Sequence, residues 1–130
     1  MELKEKETQS LGMPWEREYG YAQAVRAGKT VWLSGQLGHD GKGVLADGME
    51  AQMRQTYANV KKLLKAYGMT MADVVEEVVY VLDMQEAFAA RKKLGRKVYP
   101  DPMQVASTLI GVVALALPGQ LVEIKIVARK

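Results

Sequence analysis

The chain has 130 residues, 48% hydrophobic and 25% charged, with a net charge of +3, which fits one unit, 1–130, that buries its own core without disulfide or metal staples. No cysteine is present, and the lone histidine is His39; the first excludes thiol nucleophiles, thiolate-bound zinc and iron–sulfur clusters, and the second argues against a His-based metal cage or a Ser–His–Asp relay, which need correctly placed imidazoles. The mild positive charge permits nucleic-acid contact but does not argue for it.

The opening MELKEKETQS lacks the apolar core of a signal peptide. The longest apolar stretch, Leu109–Leu117, falls short of the ~20 residues of a membrane span, so a cytoplasmic protein without a membrane partner is expected. Residues 1–14 show no periodicity and read as a loose lead-in ending at Pro14. Ala22–Arg26 reads as a strand, Ala27-Gly28-Lys29 as a turn. Thr30–Leu37 follows as a second strand with Val31, Leu33 and Leu37 on one face and Trp32, Ser34 and Gln36 on the other. The run GHDGKGVLADG reads as an exposed loop that keeps His39 and Asp40 at the surface. Asp47 and Glu50 have the spacing of a capping box. Met53, Tyr57, Val60, Leu64 and Tyr67 then form the apolar stripe of a helix stopped by Gly68. After Asp73, VVEEVVYVL is a β-branched strand. Asp83 and Glu86 repeat the capping spacing and open a second helix that ends near Val98, before Pro100 and Pro102. Strands at Ala106–Leu115 and Leu121–Ala128, joined by Leu117-Pro118-Gly119-Gln120, complete the order ββαβαββ.

Two helices cover one face of such a sheet. Yet Val78–Leu82 and Leu109–Leu117 are apolar on both sides, as strands covered twice tend to be. A homo-oligomer whose sheets pack together is expected.

The last strand alternates, with Val122, Ile124, Ile126 and Ala128 on one side and Leu121, Glu123, Lys125 and Val127 on the other. A carboxylate in so apolar a strand is either paired with a cation or working as an acid or base. Ser107 and Thr108, at the start of a strand, hydrogen-bond a polar ligand or satisfy the strand end. Gly35, between Ser34 and Gln36, allows a ligand or another backbone to approach closely, or marks a bulge. Arg91, Lys92, Lys93, Arg96 and Lys97 suit a solvated helix C-terminus; the rival reading is a phosphate-tracking patch, without the aromatic or glycine pattern of an RNA-binding module. Trp15, Tyr19 and Tyr21 line a pocket edge or form a lid on the core.

YAQAVRAG followed by VWLSGQLG resembles the N-terminal signature of the RidA/YjgF family. The resemblance continues through Gln55 and Asn59, GMTMADVVEEVVYVLDM and ASTLIGV…LALPGQLVEIKIVA, covering residues from about 20 to 130. It implies a chorismate-mutase-like α+β fold: a mixed sheet with two helices on one face, assembled as a homotrimer around a central β-barrel, with small-molecule sites in the clefts between subunits. The implied activity is hydrolysis of reactive imines and enamines, such as 2-aminoacrylate, to keto acids and ammonia, with no metal or organic cofactor. By the same resemblance Tyr21 lines the cleft, although the next residue is Ala22 where the family has serine. Ser34, Gly35 and Gln36 match the Ser-Gly-Gln strand, and Glu123, with one extra residue in the preceding turn, is placed to activate water. The arginine that grips the substrate carboxylate is absent. Ser107 takes its place, beside Thr108, and Arg91 or Lys92 stands nearest the family's second-helix asparagine.

A neutral hydrogen bond from Ser107 replaces a charged contact of about 1.5–3 kcal/mol, so the resemblance points to an arginine-lacking subgroup with a non-standard substrate. A cation from Arg91 or Lys92 can substitute only if the helix faces the cleft. Three readings follow: an imine/enamine deaminase with Glu123 as base, a ligand-binding or regulatory trimer without turnover, and an endoribonuclease or translation inhibitor, for which no nuclease constellation is present.

Overall fold

Val122, Ile124, Ile126 and Ala128 are completely buried in the last strand, and Glu123, Lys125 and Val127 between them are half-buried. This alternation fixes which face of the sheet the helices cover. The computed structural model describes residues 5–130. Its strands are β1 (Glu7–Gln9), β2 (Ala24–Ala27), β3 (Thr30–Gln36), β4 (Val74–Val81), β5 (Ala106–Gly111) and β6 (Val122–Arg129); its helices are α1 (Met49–Lys65) and α2 (Met84–Val98). The strands form one sheet in the order β1-β2-β3-β6-β4-β5. Only β4 and β5 pair in parallel, as the crossover through α2 requires; the other pairs are antiparallel. The result is a mixed α+β fold of the expected kind, with both helices on one face.

The apolar stripe of α1 packs as its periodicity requires: Met53, Tyr57, Val60 and Leu64 are buried against the sheet, as is Tyr67 just beyond the helix. Gly68 adopts φ +70° after the helix, the left-handed conformation that ends it. Asp83 caps α2 by accepting from the Glu86 amide at 2.9 Å. At α1 the cap differs from expectation. Asp47 makes no cap, and Gly48, at φ +89°, carries the chain into the helix directly.

Four further expectations need correction. The lead-in contains a sixth strand: residues 7–9 pair with β2, Thr8 opposite Val25, and the Tyr67 hydroxyl donates to the Glu7 carbonyl at 2.8 Å. An edge segment of three polar residues has no alternation from which to recognise it. The strand begun at Ala106 stops at Gly111, and residues 112–121 run as an irregular loop. Gln36 faces the core with Leu33, because three steps along β3 match two along β6 (Leu33 opposite Ile126, Gln36 opposite Ile124). This is a bulge, and it reverses the faces beyond it. His39 is buried, packed edge-on to Trp15 at 5.2 Å, and its carbonyl accepts from Asn59 Nδ2.

The other face of the sheet carries Trp32, Val127, Glu76, Val78, Lys125, Tyr80 and Glu123 in register across β3, β6 and β4. Among the described residues no helix covers it, and Trp32 is 42% exposed.

Candidate functional site

Glu123 sits on the uncovered face at the start of β6, beside the bulge of β3. The bulge places Gly35 directly beneath its side chain, where a Cβ would collide with the carboxylate. The bulge read from the sequence is present, and the group that comes close to Gly35 is neither a ligand nor another backbone but the Glu123 side chain. The irregular loop supplies Gln120, whose Nε2 lies 3.4 Å from Glu123 Oε1 and donates more closely, at 3.1 Å, to the Val122 carbonyl.

These groups form the floor of a cleft of about 500 Å³, lined by Trp15, Tyr19, Tyr21, Ser34, Gly35 and Leu37 on one side and by Ala116, Leu117, Gln120 and Glu123 on the other. The aromatic wall is held from behind. Glu16, in the π-helical turn Glu16–Gly20, accepts from Ser10 Oγ, the amides of Leu11 and Met13, and Gln23 Nε2. Burial alone would raise its carboxyl, but these donors outweigh that and hold it below the usual range. Gln23 in turn accepts from Gln36 Nε2 at 2.8 Å and lies 3.4 Å from the Tyr21 hydroxyl. Gln36 thus supports the cleft without lining it. Ser34 Oγ donates to the Ala22 carbonyl at 2.6 Å. Burial, reinforced by the negative charges of Glu16 and Glu123, pushes the Tyr21 phenol up, so it stays protonated and able to donate. Trp15 Nε1 is buried with no hydrogen-bond partner among the described residues.

The cleft brings Tyr21, Ser34, Gly35 and Glu123 together. Ser107, Thr108 and Lys92 lie elsewhere in the chain. Ser107, on β5, donates to Glu77 Oε2 on the helix-covered side. Thr108 is exposed on the same edge strand, opposite Val78, and Lys92 is exposed on α2. Neither Arg91 nor Lys92 is among the residues that line this chain's cleft. Sequence reasoning also passed over Leu37, Ala116 and Leu117, for which no chemical signal exists, and Gln120, which its place in the turn just before Glu123 could have marked.

Arg91 is engaged in a second cluster. Its Nε and Nη2 reach Glu77 Oε2 at 3.0 and 2.9 Å, while the hydroxyls of Tyr57 and Tyr99 each donate to Glu77 Oε1 at 2.7 Å. Burial acts to raise the Glu77 carboxyl, but the donors from Ser107, Tyr57 and Tyr99 and the Arg91 charge hold it below its ordinary value. Gly95, one turn on from Arg91, leaves room for the guanidinium, since a Cβ there would strike Nη1. Among the described residues no group of His, Asp and Glu is arranged to hold a metal ion, and no helix is long and apolar enough to cross a membrane.

A six-stranded mixed sheet with two helices on one face and a single-carboxylate cleft on the other defines a class of small α+β protein. Residues 15–130 match the family model described as Endoribonuclease L-PSP, and the chain belongs to that family, the RidA/YjgF proteins. It is similar to Rv2704 of Mycobacterium tuberculosis, a member of the YjgF/YER057c/UK114 family, at 28% identity and a TM-score of 0.86 over 97% of this chain and 100% of that one. The RidA structure from the Antarctic bacterium Psychrobacter sp. is 34% identical with a TM-score of 0.80, over 85% of this chain and 89% of its own. A 2-iminobutanoate/2-iminopropanoate deaminase of Dermatophagoides farinae is 30% identical over 97 residues, 73% of this chain and 74% of the relative.

Proposed function

We propose that the chain is a cofactor-independent imine/enamine deaminase of RidA type, acting on a small reactive metabolite in clefts completed between the subunits of a homotrimer. The observation that carries this reading is Glu123, a carboxylate held over Gly35 inside an aromatic-walled cleft with only one distant hydrogen-bond donor of its own. Its free lone pairs can accept a proton from water. The uncovered sheet face with Trp32, Val78, Tyr80 and Val127 supports the trimer, and the relatives named as deaminases support the reaction.

The chemistry balances without a cofactor. An enamine tautomerises to its imine, and water adds to the imine carbon, forming a C–O bond while Glu123 takes one of its protons. That proton passes to nitrogen. Glu123 then relays the hydroxyl proton of the carbinolamine to nitrogen as the C–N bond breaks, releasing ammonia and the carbonyl product. Tyr21 donates a hydrogen bond to the reacting group, and the backbone at Ser34 and Gly35 lines its path. Ser107 in place of the family arginine removes the carboxylate grip, so the substrate differs from 2-aminoacrylate.

Glu123→Gln tests the reading. Ammonia release from freshly generated imines, with and without carboxylates, should fall by about 10²–10⁴-fold if Glu123 is the general base. Release above background from no imine at all would overturn it.

A ligand-binding trimer without turnover is the second reading. It is favoured by one observation: Ser107 gives its hydroxyl to Glu77, leaving nothing on β5 in the arginine's role. The nuclease reading has no comparable support, because among the described residues of this chain no cation lines the cleft to meet a phosphate.

A further inference from the structure

A second groove, of about 560 Å³, lies between the C-terminal ends of α1 and α2 and the connection from α1 to β4. We infer that it binds a small organic phosphate, a phosphate monoester on an apolar body, independently of the cleft and its chemistry.

Charge is the first argument. Lys61 and Lys65 of α1 and Arg96 and Lys97 of α2 all line the groove, and no carboxylate does. The ion pairs among the described residues join Arg54 and Lys93 to Glu50 and Arg91 to Glu77, so none of these four is paired. Lys61 and Lys65 are one turn apart on one face of α1, where like charges disfavour the helix. The negative ends of the helix dipoles account for cations in the last turns, such as Lys65, Arg96 and Lys97. They do not account for Lys61, a turn earlier, or for the meeting of both sets in one groove. Asp73 and Asp101, the carboxylates nearest along the chain, stay outside the lining and accept from the Thr70 and Met103 amides. Lys130, its Nζ 3.0 Å from the Gly68 carbonyl, adds a further positive charge beside the end of α1. A bound anion relieves this repulsion.

Shape is the second argument. Met69, Met71, Val98 and Tyr99 are buried and form an apolar floor. The Tyr99 hydroxyl is given to Glu77 at 2.7 Å, so it offers the groove no polar group. At the edge, Thr70 Oγ1 accepts from the Ala72 amide at 3.2 Å, which leaves its proton to donate. Arg96 can meet two phosphate oxygens with its planar fork. The volume is that of a small-molecule site. A nucleic-acid track needs exposed rings on which bases stack, and the ring lining this groove is buried in its floor. Because the groove lies between the helices, packing of the uncovered sheet face against a neighbour neither completes nor closes it.

Calorimetry on the full chain, at neutral pH and low salt, tests this with naphthyl phosphate, which is largely dianionic there. It should bind about tenfold or more tightly than naphthol or inorganic phosphate, and weaken as salt is added. Lys65→Ala and Arg96→Ala should each weaken it about threefold, and together about tenfold. Lys42→Ala, an exposed position in the loop before the opposite end of α1, should change it by less than about 1.5-fold. Both groove side chains are exposed, so unfolding of their variants should stay close to wild type. Naphthol binding as tightly as naphthyl phosphate overturns the inference, as does a loss in Lys42→Ala equal to that in Lys65→Ala. So does a single-stranded oligonucleotide that binds more than about tenfold tighter than naphthyl phosphate and depends on the same two side chains, since the groove is then part of a nucleic-acid track.

Discussion

Glu77 and Glu123 are carboxylates on neighbouring strands, yet the protein treats them in opposite ways. Glu77 is completely buried and takes hydrogen bonds from Tyr57, Tyr99, Ser107 and Arg91. Glu123 is half-buried, beside an open cleft, with a single donor at 3.4 Å. A carboxylate whose lone pairs are filled can fasten α1, α2, β4 and β5 together, but it has no basicity left to use. One held in place by the shape of the backbone beneath it, with few donors, keeps lone pairs open to whatever enters the cleft. Burial alone would have drawn attention to Glu77, whose oxygens are already taken.

The sharpest way to break this contrast is Arg91→Met. Removing one partner of a buried, hydrogen-bonded pair costs about 3–5 kcal/mol, and denaturant unfolding at fixed protein concentration should show that loss; Glu123→Gln under the same conditions should change stability by less than about 1 kcal/mol. Next in size is Gly35→Ala. The new Cβ displaces the Glu123 side chain, a shift on the order of 1 Å that costs about 10²-fold in turnover when it moves a catalytic group; ammonia release should fall while unfolding stays close to wild type.

The smallest effect lies in pH. Glu77 ionises below its ordinary value in the folded state, so the folded protein binds fewer protons than the unfolded chain as acid is added. Its contribution is complete above the unfolded carboxyl value of about 4.3 and is lost as pH falls through the lower folded value. Glu16 acts with the same sign. Glu77→Gln should therefore reduce the slope of stability against pH in acid by at most about 1.4 kcal/mol per pH unit, measured by urea unfolding, and leave the share due to Glu16.

Much of this was legible beforehand wherever one periodicity ruled. The alternation of β6, the stripe of α1 and the Asp83 cap follow from local spacing, and Tyr21, Ser34, Gly35 and Glu123 followed from the family resemblance. The Glu77 cluster was overlooked although it left a trace. Glu77 shares the buried phase of Val79 and Val81, and Arg91 falls one turn from Ala87 and from Gly95 on the covered side of α2. Two opposite charges at apolar phases on adjoining elements can be buried only as a pair. The rest left no such trace. The burial of Gln36 depends on a bulge that shifts register across strands distant in sequence, that of His39 on a ring stacked from the lead-in, and β1 on an edge pairing made by three polar residues.

The strands carrying the cleft floor, β3 and β6, are neighbours at the middle of the six-stranded sheet, whereas Tyr19 and the loop through Leu117 form its rim. A floor made from central strands shares their cooperative stability and moves only when the sheet opens. Traffic through the cleft is accordingly governed at the rim. Substitutions there can reset how fast a ligand enters and leaves while the floor, and the equilibrium geometry around Glu123, remains as it was.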